Sequence, residues 1–264
     1  TFIGTNAFAA DNVNQIRLNI VGQTTTIQID TNANNAAELS ITLTGVLALD
    51  ASDFSANVTA LNQNNPNAVP STPTAGNDLI TLGAGNNTLN ALAGNDIVVG
   101  NSGNDTISGG AGNDNLMGGS GADLLTGDAG NDNLMGDAGN DVLNGSAGLD
   151  ILTGGLGADT FLFNTTLNRT TNVDTIADFT VADADKIHLE NAIFSRLTTT
   201  GALNAANFRM STAVADANDY IVFEQATGRL FYDADGSGRT QSVLFATLSN
   251  PASLTLTAND FVVI

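Results

Sequence analysis

The sequence predicts an all-β protein in which nonapeptide repeats form a right-handed parallel β-roll with antiparallel β modules on either side. The first supporting observation is a nine-residue spacing of Gly, Asp and apolar residues over 73–162 of the 264 residues. The second is the alternation of apolar and polar residues, typical of strands, in both flanking regions. The third is an acidic excess of 27 Asp and Glu over 7 Lys and Arg, which gives a formal net charge of −20.

Composition excludes several function classes. The acidic balance disfavours nucleic acid or an anionic membrane surface as a partner and favours metal ions. The chain has no Cys and a single His, His188, so thiolate metal sites, Cys nucleophiles and the HExxH zinc motif are absent. No GxSxG motif is present, and we expect any catalysis to lie outside these residues. No apolar run approaches the roughly 18 residues of a membrane-spanning segment.

The first module is predicted over 1–54. Residues 15–20, 26–30 and 39–44 alternate like strands of an antiparallel meander. Residues 55–72 contain two prolines, many asparagines and no charged residue, which is typical of an extended linker.

The repeats fill 73–162 as ten units. Each unit has Gly at its fourth place and an apolar residue at its eighth place. The sixth place is Asp in every unit except the second, where it is Asn87. Most of the later units also open with Gly. This pattern matches the nonapeptide of a calcium-loaded parallel β-helix.

The spacing has a direct physical consequence. Six turn residues and a three-residue strand make half a coil, so units n and n+2 stack about 4.8 Å apart. Two carboxylates about 5 Å apart repel by roughly 3 kcal/mol at an effective dielectric near 20. Calcium binds six to eight carboxylate and carbonyl oxygens and removes this repulsion, whereas magnesium and zinc prefer other geometries or donors. Ten units pair in eight ways, which predicts about eight calcium ions. A disordered low-complexity linker is the alternative, and the unbroken apolar register argues against it.

Residues 73–162 resemble the RTX (repeats-in-toxin) β-roll of secreted bacterial proteases, lipases, cytolysins, epimerases and surface-layer proteins. The resemblance implies calcium-dependent folding after export of the unfolded chain through a type I secretion channel. It also implies that the turn aspartates and the carbonyls of neighbouring glycines are the calcium ligands. The aspartates are Asp78, Asp96, Asp105, Asp114, Asp123, Asp132, Asp141, Asp150 and Asp159, and the glycines are Gly100, Gly109, Gly118, Gly127, Gly136, Gly145 and Gly154. Asn87 departs from the pattern and predicts the weakest site, and the first unit is expected to act as a cap.

The last module is predicted over 163–264. Residues 174–179 and 183–189 resemble the D-x-I-x-D-F and D-K-I-x-L stretch that follows RTX repeats in serralysin-type proteases. We expect them to form two strands that continue the roll and close its open end. A meander over 220–223, 229–232 and 242–248 follows. Short capped turns are expected after Asp50, Asn204 and Thr257.

Two further features allow two interpretations each. Asp233 and Asp235 have the alternate spacing of calcium ligands in a loop, but an ordinary Asx-rich hairpin turn has the same composition. Residues 259–264 are either a C-terminal edge strand or an uncleaved type I export signal, and the RTX resemblance favours the signal.

These expectations combine into one function. We expect a calcium-binding region that folds outside a bacterial cell and carries the C-terminal secretion signal of a larger exported protein, with the type I secretion machinery as partner. The absence of an initial Met agrees with a piece of a longer chain. The alternatives are a structural or adhesive surface-layer type of protein, assembled with itself or the cell surface through calcium, and the non-catalytic tail of a secreted hydrolase.

Overall fold

The computed structural model describes residues 73–211, 217–236 and 242–264, together with the backbone of three earlier strands. The chain divides into two compact units, Thr1–Val58 and Thr59–Ile264. The predicted linker over 55–72 and the predicted cap at Asp50 lie outside the described residues.

The first unit contains one antiparallel sheet. Its strands are β1 (Gln15–Val21), β2 (Thr24–Asp30) and β3 (Leu39–Thr44), in the order β1-β2-β3. The predicted meander is confirmed, since β1 pairs with β2 and β2 pairs with β3 in antiparallel register.

The repeats form two parallel stacks of strands, and the predicted β-roll is confirmed. The strands are β4 (Leu79–Thr81), β5 (Thr88–Asn90), β6 (Ile97–Val99), β7 (Thr106–Ala111), β8 (Asn115–Ser120), β9 (Leu124–Ala129), β10 (Asn133–Ala138), β11 (Val142–Ala147), β12 (Ile151–Leu156) and β13 (Thr160–Phe163). Even-numbered strands pair in one sheet and odd-numbered strands in the other. Leu116 pairs with Leu134, and Leu134 with Leu152, so each coil takes 18 residues.

Strand length differs from the expected three residues. Strands β7 to β12 have six residues each, because the first three places of the next unit also pair. Gly110 pairs with Asp128 and Ala111 with Ala129, for example. The turns of the roll are therefore shorter, and more of their backbone is hydrogen-bonded, than the sequence predicts.

A single column of apolar side chains fills each half of the coil. The residue at the eighth place points inward in every unit and is at most 7 % exposed. The two columns together consist of Ile80, Leu89, Val98, Ile107, Leu116, Leu125, Leu134, Leu143, Leu152 and Phe161. Their burial is the main favourable contribution to packing in a roll only two strands thick.

The last module extends both stacks beyond the repeats. Its strands are β14 (Asp174–Ile176), β15 (Lys186–Leu189), β16 (Gly201–Ala202), β17 (Phe208–Met210), β18 (Ile221–Glu224), β19 (Arg229–Tyr232), β20 (Val243–Leu248) and β21 (Phe261–Val263). As expected, β14 and β15 continue the roll beside β12 and β13. They do not close it, because β20 pairs in parallel with β14 and β21 with β15.

The meander of β18, β19 and β20 is confirmed, and it belongs to the even-strand sheet. The C-terminal strand is present, but it is not the edge strand of one of the two interpretations. Strand β21 lies between β15 and β16, so both of its sides are hydrogen-bonded. In the module core, Phe194 makes edge contacts with Tyr232 and Phe245.

Three short 3₁₀ helices complete the module, Ala205–Asn207, Pro251–Ser253 and Ala258–Asp260. Two of the expected caps are confirmed: the side chain of Asn204 accepts from the Ala206 amide, and Thr257 forms a capping box with Asp260. No helix in the described part of the chain is long and apolar enough to cross a membrane.

Candidate metal centre

Aspartates at the sixth place of the repeat form one buried ladder along each edge of the roll. The backbone N–H of each sixth-place residue donates to the Oδ1 atom of the aspartate one coil later. The bond from Asp105 to Asp123 and the bond from Asp123 to Asp141 are both 2.7 Å long. The structure thus places the predicted aspartates on common edges, 18 residues apart.

The second carboxylate oxygen of most of these aspartates has no hydrogen-bond partner within the described part of the protein. The Oδ2 atom is buried and accepts no hydrogen bond in eight of the nine aspartates, namely Asp96, Asp105, Asp114, Asp123, Asp132, Asp141, Asp150 and Asp159. A buried carboxylate oxygen without a donor is strongly disfavoured. Eight such atoms in two regular rows therefore indicate a cationic ligand that the protein chain itself does not supply.

Burial raises the pKa values of most ladder aspartates. It raises the pKa of Asp132 and Asp141 to about 7, and the charges of the neighbouring aspartates in each stack add to the shift. The pKa values of Asp96, Asp114, Asp123 and Asp159 are also raised, with burial as the main cause. Without a cation, these carboxyl groups retain their protons to a higher pH than a free aspartate does.

Glycines at the first place lie beside seven of the eight orphan oxygens, whereas Ala91 holds this place before Asp96. A Cβ atom built on Gly100 would lie 2.7 Å from the Oδ2 atom of Asp105. The equivalent contact recurs five residues before the other aspartates, at Gly109, Gly118, Gly127, Gly136, Gly145 and Gly154. The predicted ligand glycines thus border the unpaired oxygens, although the structure does not test whether their carbonyls bind metal.

The space beside an orphan oxygen is here called the slot. The oxygens around it are best seen at Asn87, where an amide nitrogen replaces the orphan oxygen. The Nδ2 atom of Asn87 donates to the carbonyl oxygen of Gly83 at 3.0 Å, to that of Gly85 and to Oδ1 of Asp105 at 3.2 Å. All three acceptors are oxygens. At the equivalent place in eight other turns, the side chain presents a carboxylate oxygen instead.

A hard cation fits this donor set. Calcium prefers carboxylate and carbonyl oxygens, and the oxygens around Asn87 are of both kinds. In the described ranges no three His, Cys, Asp or Glu side chains gather closely enough to hold a metal by themselves. That turn carbonyls complete the calcium shell stays a prediction.

Asp78, in the first unit, differs from the other aspartates. Its Oδ2 atom accepts from the Thr74 amide at 2.7 Å, and the Thr74 hydroxyl lies 3.1 Å from both carboxylate oxygens. That Asp78 and Asn87 bind calcium stays a prediction.

A second ladder was missed by the sequence analysis. At the fifth place of the repeat, the Oδ1 atom of an asparagine accepts from the backbone N–H one coil later. Asn77 bonds to Asn95 in this way, and Asn95 bonds to Asn113, at 2.8 and 2.7 Å. This ladder runs in the opposite sense to the aspartate ladder. The frequent Asn before the repeat Asp was the available indication.

Two aspartates beyond the repeats extend the aspartate ladders, and a third accepts from the first two residues of the last unit. Oδ1 of Asp174 accepts from the Asp150 amide and Oδ1 of Asp185 from the Asp159 amide, at 3.3 and 3.0 Å. Asp178 accepts from the amides of Gly154 and Gly155, both at 2.9 Å. Burial and the charge of Asp150 raise the pKa of Asp174 to about 8. Sequence spacing did not indicate these roles, since the intervals are 24 and 26 residues instead of 18.

The predicted loop site lies apart from the roll ladders. Asp233 is buried directly after β19, and Asp235 is exposed in the turn that follows. Residues 237–241 lie outside the described residues. Calcium at Asp233 and Asp235 stays a prediction.

Comparisons with known proteins identify the repeats. Residues 74–98, 90–125 and 126–161 match the family described as RTX calcium-binding nonapeptide repeat (4 copies). No curated protein matches the chain.

The solved structures that are similar to this chain include the following two. One is the solution structure of the AlgE6R3 subunit from the Azotobacter vinelandii mannuronan C5-epimerase, with 23 % identity, a TM-score of 0.35 and coverage of 76 % of this chain and 85 % of that one. The other is the extracellular lipase LipA from Serratia marcescens, with 17 % identity, a TM-score of 0.26 and coverage of 73 % of this chain and 39 % of the lipase. The family match and the ladder geometry both mark residues 74–161 as similar to the RTX calcium-binding nonapeptide repeats.

Proposed function

We propose that this chain is a calcium-controlled folding region of an exported bacterial protein. The observation that carries the proposal is the pair of buried aspartate ladders, in which eight Oδ2 atoms have no hydrogen-bond donor. Such an arrangement is costly in the metal-free protein. It becomes favourable when cations occupy the slots, so that ion binding and folding are coupled.

The roles of the chain's own groups follow from their positions. Each carboxylate holds the preceding coil through Oδ1 and keeps Oδ2 for the ion. The first-place glycines leave the slot open, and the inward apolar column fixes the register. Calcium supplies the positive charge that compensates the stacked carboxylates.

The proposed number of ions is about eight, one for each orphan oxygen. In a cytosol with little free calcium, the carboxylate ladders oppose folding and leave the chain extended. Millimolar calcium outside the cell drives folding by mass action. We therefore place the folded region in the extracellular space or at the cell surface.

The C-terminal residues are proposed as the type I export signal. In the folded protein, Phe261 and Val263 are buried and β21 is paired on both sides. A secretion machine would have access to this segment only before the module folds. Calcium-dependent folding and export are thus mutually exclusive states of the same residues.

A calcium titration of the purified chain tests the proposal. Far-UV circular dichroism should show a cooperative transition from coil to β structure, and calorimetry on the same sample should give several ions bound per chain. A chain that is fully folded in chelator and binds no calcium would contradict the proposal.

One observation favours a second candidate, a structural protein that assembles at the cell surface. The seventh and ninth places of β4, β6, β8, β10 and β12 carry no charged side chain. Among them, Leu79, Ile97 and Ile151 are each more than 40 % exposed. This neutral apolar face would allow two copies to meet without bringing carboxylates together. Sedimentation of the calcium-loaded protein separates the two candidates, since only the second requires assembly.

A further inference from the structure

We infer that the first turn of each ladder is closed by a side-chain donor in place of an ion, and that ion binding begins at Asp96 and Asp105. The donors are the Asn87 amide in one stack and Thr74 in the other. The inference rests on the proposed function and deepens it, because it assigns which turns take up calcium.

The stronger argument comes from the Asn87 slot. Its Nδ2 atom contacts the Gly83 and Gly85 carbonyl oxygens and Oδ1 of Asp105, while the Asn87 backbone N–H donates to the same Oδ1 atom at 2.8 Å. The Nδ2 atom stands where the aspartate turns have Oδ2, and its hydrogens face three oxygens that would otherwise face an ionised carboxylate oxygen. A neutral donor therefore satisfies these oxygens without an ion.

An aspartate at this position would behave differently. Its second oxygen would face the carbonyl oxygens of Gly83 and Gly85 without a hydrogen, which is the situation of Oδ2 in the eight orphan aspartates. A single change from amide to carboxylate thus separates a self-contained turn from one that requires a cation. Asn87 consequently replaces the ion, whereas the repeat pattern alone predicts a weak site there.

The other stack begins with an equivalent arrangement built from different groups. Asp78 retains the repeat carboxylate, but Thr74 donates to it through its amide at 2.7 Å, and the Thr74 hydroxyl lies 3.1 Å from each oxygen. Neither oxygen of Asp78 is among the orphan atoms of the described residues. Both edges of the roll therefore start with a closed turn and continue with turns whose Oδ2 atom has no hydrogen-bond donor.

The decisive experiment counts calcium ions on the full chain by native mass spectrometry at saturating calcium. The variant Asn87→Asp should bind one more ion than the wild type. Asn86→Asp is the matched control: it adds the same charge one residue earlier, at an exposed position that only accepts from the Asn104 amide, and it should leave the count unchanged.

A second pair of variants tests the other stack. Asp78→Asn should keep the wild-type count, whereas Asp96→Asn, one coil later on the same edge, should lower it by at least one ion. An unchanged count in Asn87→Asp, or a lower count in Asp78→Asn, would overturn the inference while leaving the proposed function intact. A wild-type chain that binds no calcium would instead refute the proposed function itself.

Discussion

The backbone N–H of Asp123 donates to the Oδ1 atom of Asp141 at 2.7 Å, and the Oδ2 atoms of both carboxylates stay buried without a partner. One oxygen of each carboxylate thus joins neighbouring coils, and the other has no hydrogen-bond donor in the protein chain. This division of labour is the basis of the predictions below.

Replacement of Asp123 by Asn should remove at least one bound calcium ion and raise the calcium concentration at the folding midpoint. The amide keeps an acceptor for the Asp105 N–H but places a donor in the slot, as Asn87 does. Calorimetry and circular dichroism measure the two effects. Asp137→Asn is the matched control, since Asp137 is exposed and outside the ladder. Equal ion counts in the two variants would contradict the assignment of the ladder.

The stability of the metal-free protein should fall as pH rises from about 4 to about 8. Asp132 and Asp141 have pKa values of about 7 in the folded state, and Asp174 of about 8, against 3.8 for a free aspartate. Between these limits the unfolded chain has released protons that the folded chain retains, so rising pH favours unfolding. Far-UV circular dichroism at pH 5 and pH 8 in metal-free buffer measures the folded fraction, which should be larger at pH 5.

With saturating calcium the trend should reverse, because the ion binds only ionised carboxylates. Greater stability at pH 8 than at pH 5 in the metal-free protein would show that burial does not control these groups.

Gly121→Ala should destabilise the calcium-loaded roll more than Gly85→Ala. Both glycines have positive φ, 133° and 101°, and either substitution costs about 1 to 3 kcal/mol in backbone strain. A Cβ atom on Gly121 would also meet the carbonyl group of Gly103 in the adjacent coil, whereas Gly85 has open space around it. Denaturant unfolding measures the free energy of unfolding of both variants. The difference between the two losses is the cost of the contact with the adjacent coil. Equal losses would mean that the coils are not in close contact.

Asp178→Ala should destabilise the junction between the roll and the last module by about 2 kcal/mol, because two amides lose a charged acceptor. Those amides belong to Gly154 and Gly155. Asp183→Ala removes the same charge from an exposed position nearby and should have little effect. Hydrogen exchange of the two glycine amides is the direct measurement, and unchanged protection would argue against the junction.

Much of the roll was predictable from the sequence, because a strict repeat fixes local structure and long-range pairing together. Leu116 and Leu134 occupy the same place in the repeat, so their pairing follows from the 18-residue coil. The aspartate edges were predictable for the same reason. The hydrogen-bond directions were not, since spacing alone does not say which oxygen accepts and which stays free.

The irregular parts escaped prediction for a different reason. Asp174 and Asp185 enter the ladders after intervals of 24 and 26 residues, and only the tertiary course of the chain brings them into line. The closure of the Asn87 slot depends on a single nitrogen atom in place of an oxygen. The partner of β21 was also hidden, because β16 is only two residues long.

Because successive strands of the roll alternate between two sheets, a change by an odd number of repeats differs in its effect from a change by an even number. Removing or duplicating one nonapeptide would preserve every stacked contact locally, yet it would turn all later strands through half a coil and exchange their sheets. The neutral face formed around Ile97 and Ile151 would then be divided between opposite sides of the roll. Changes of two units leave the two sides as they were. Lengthening or shortening of this array by recombination is therefore conservative only in steps of 18 residues, the length of one coil.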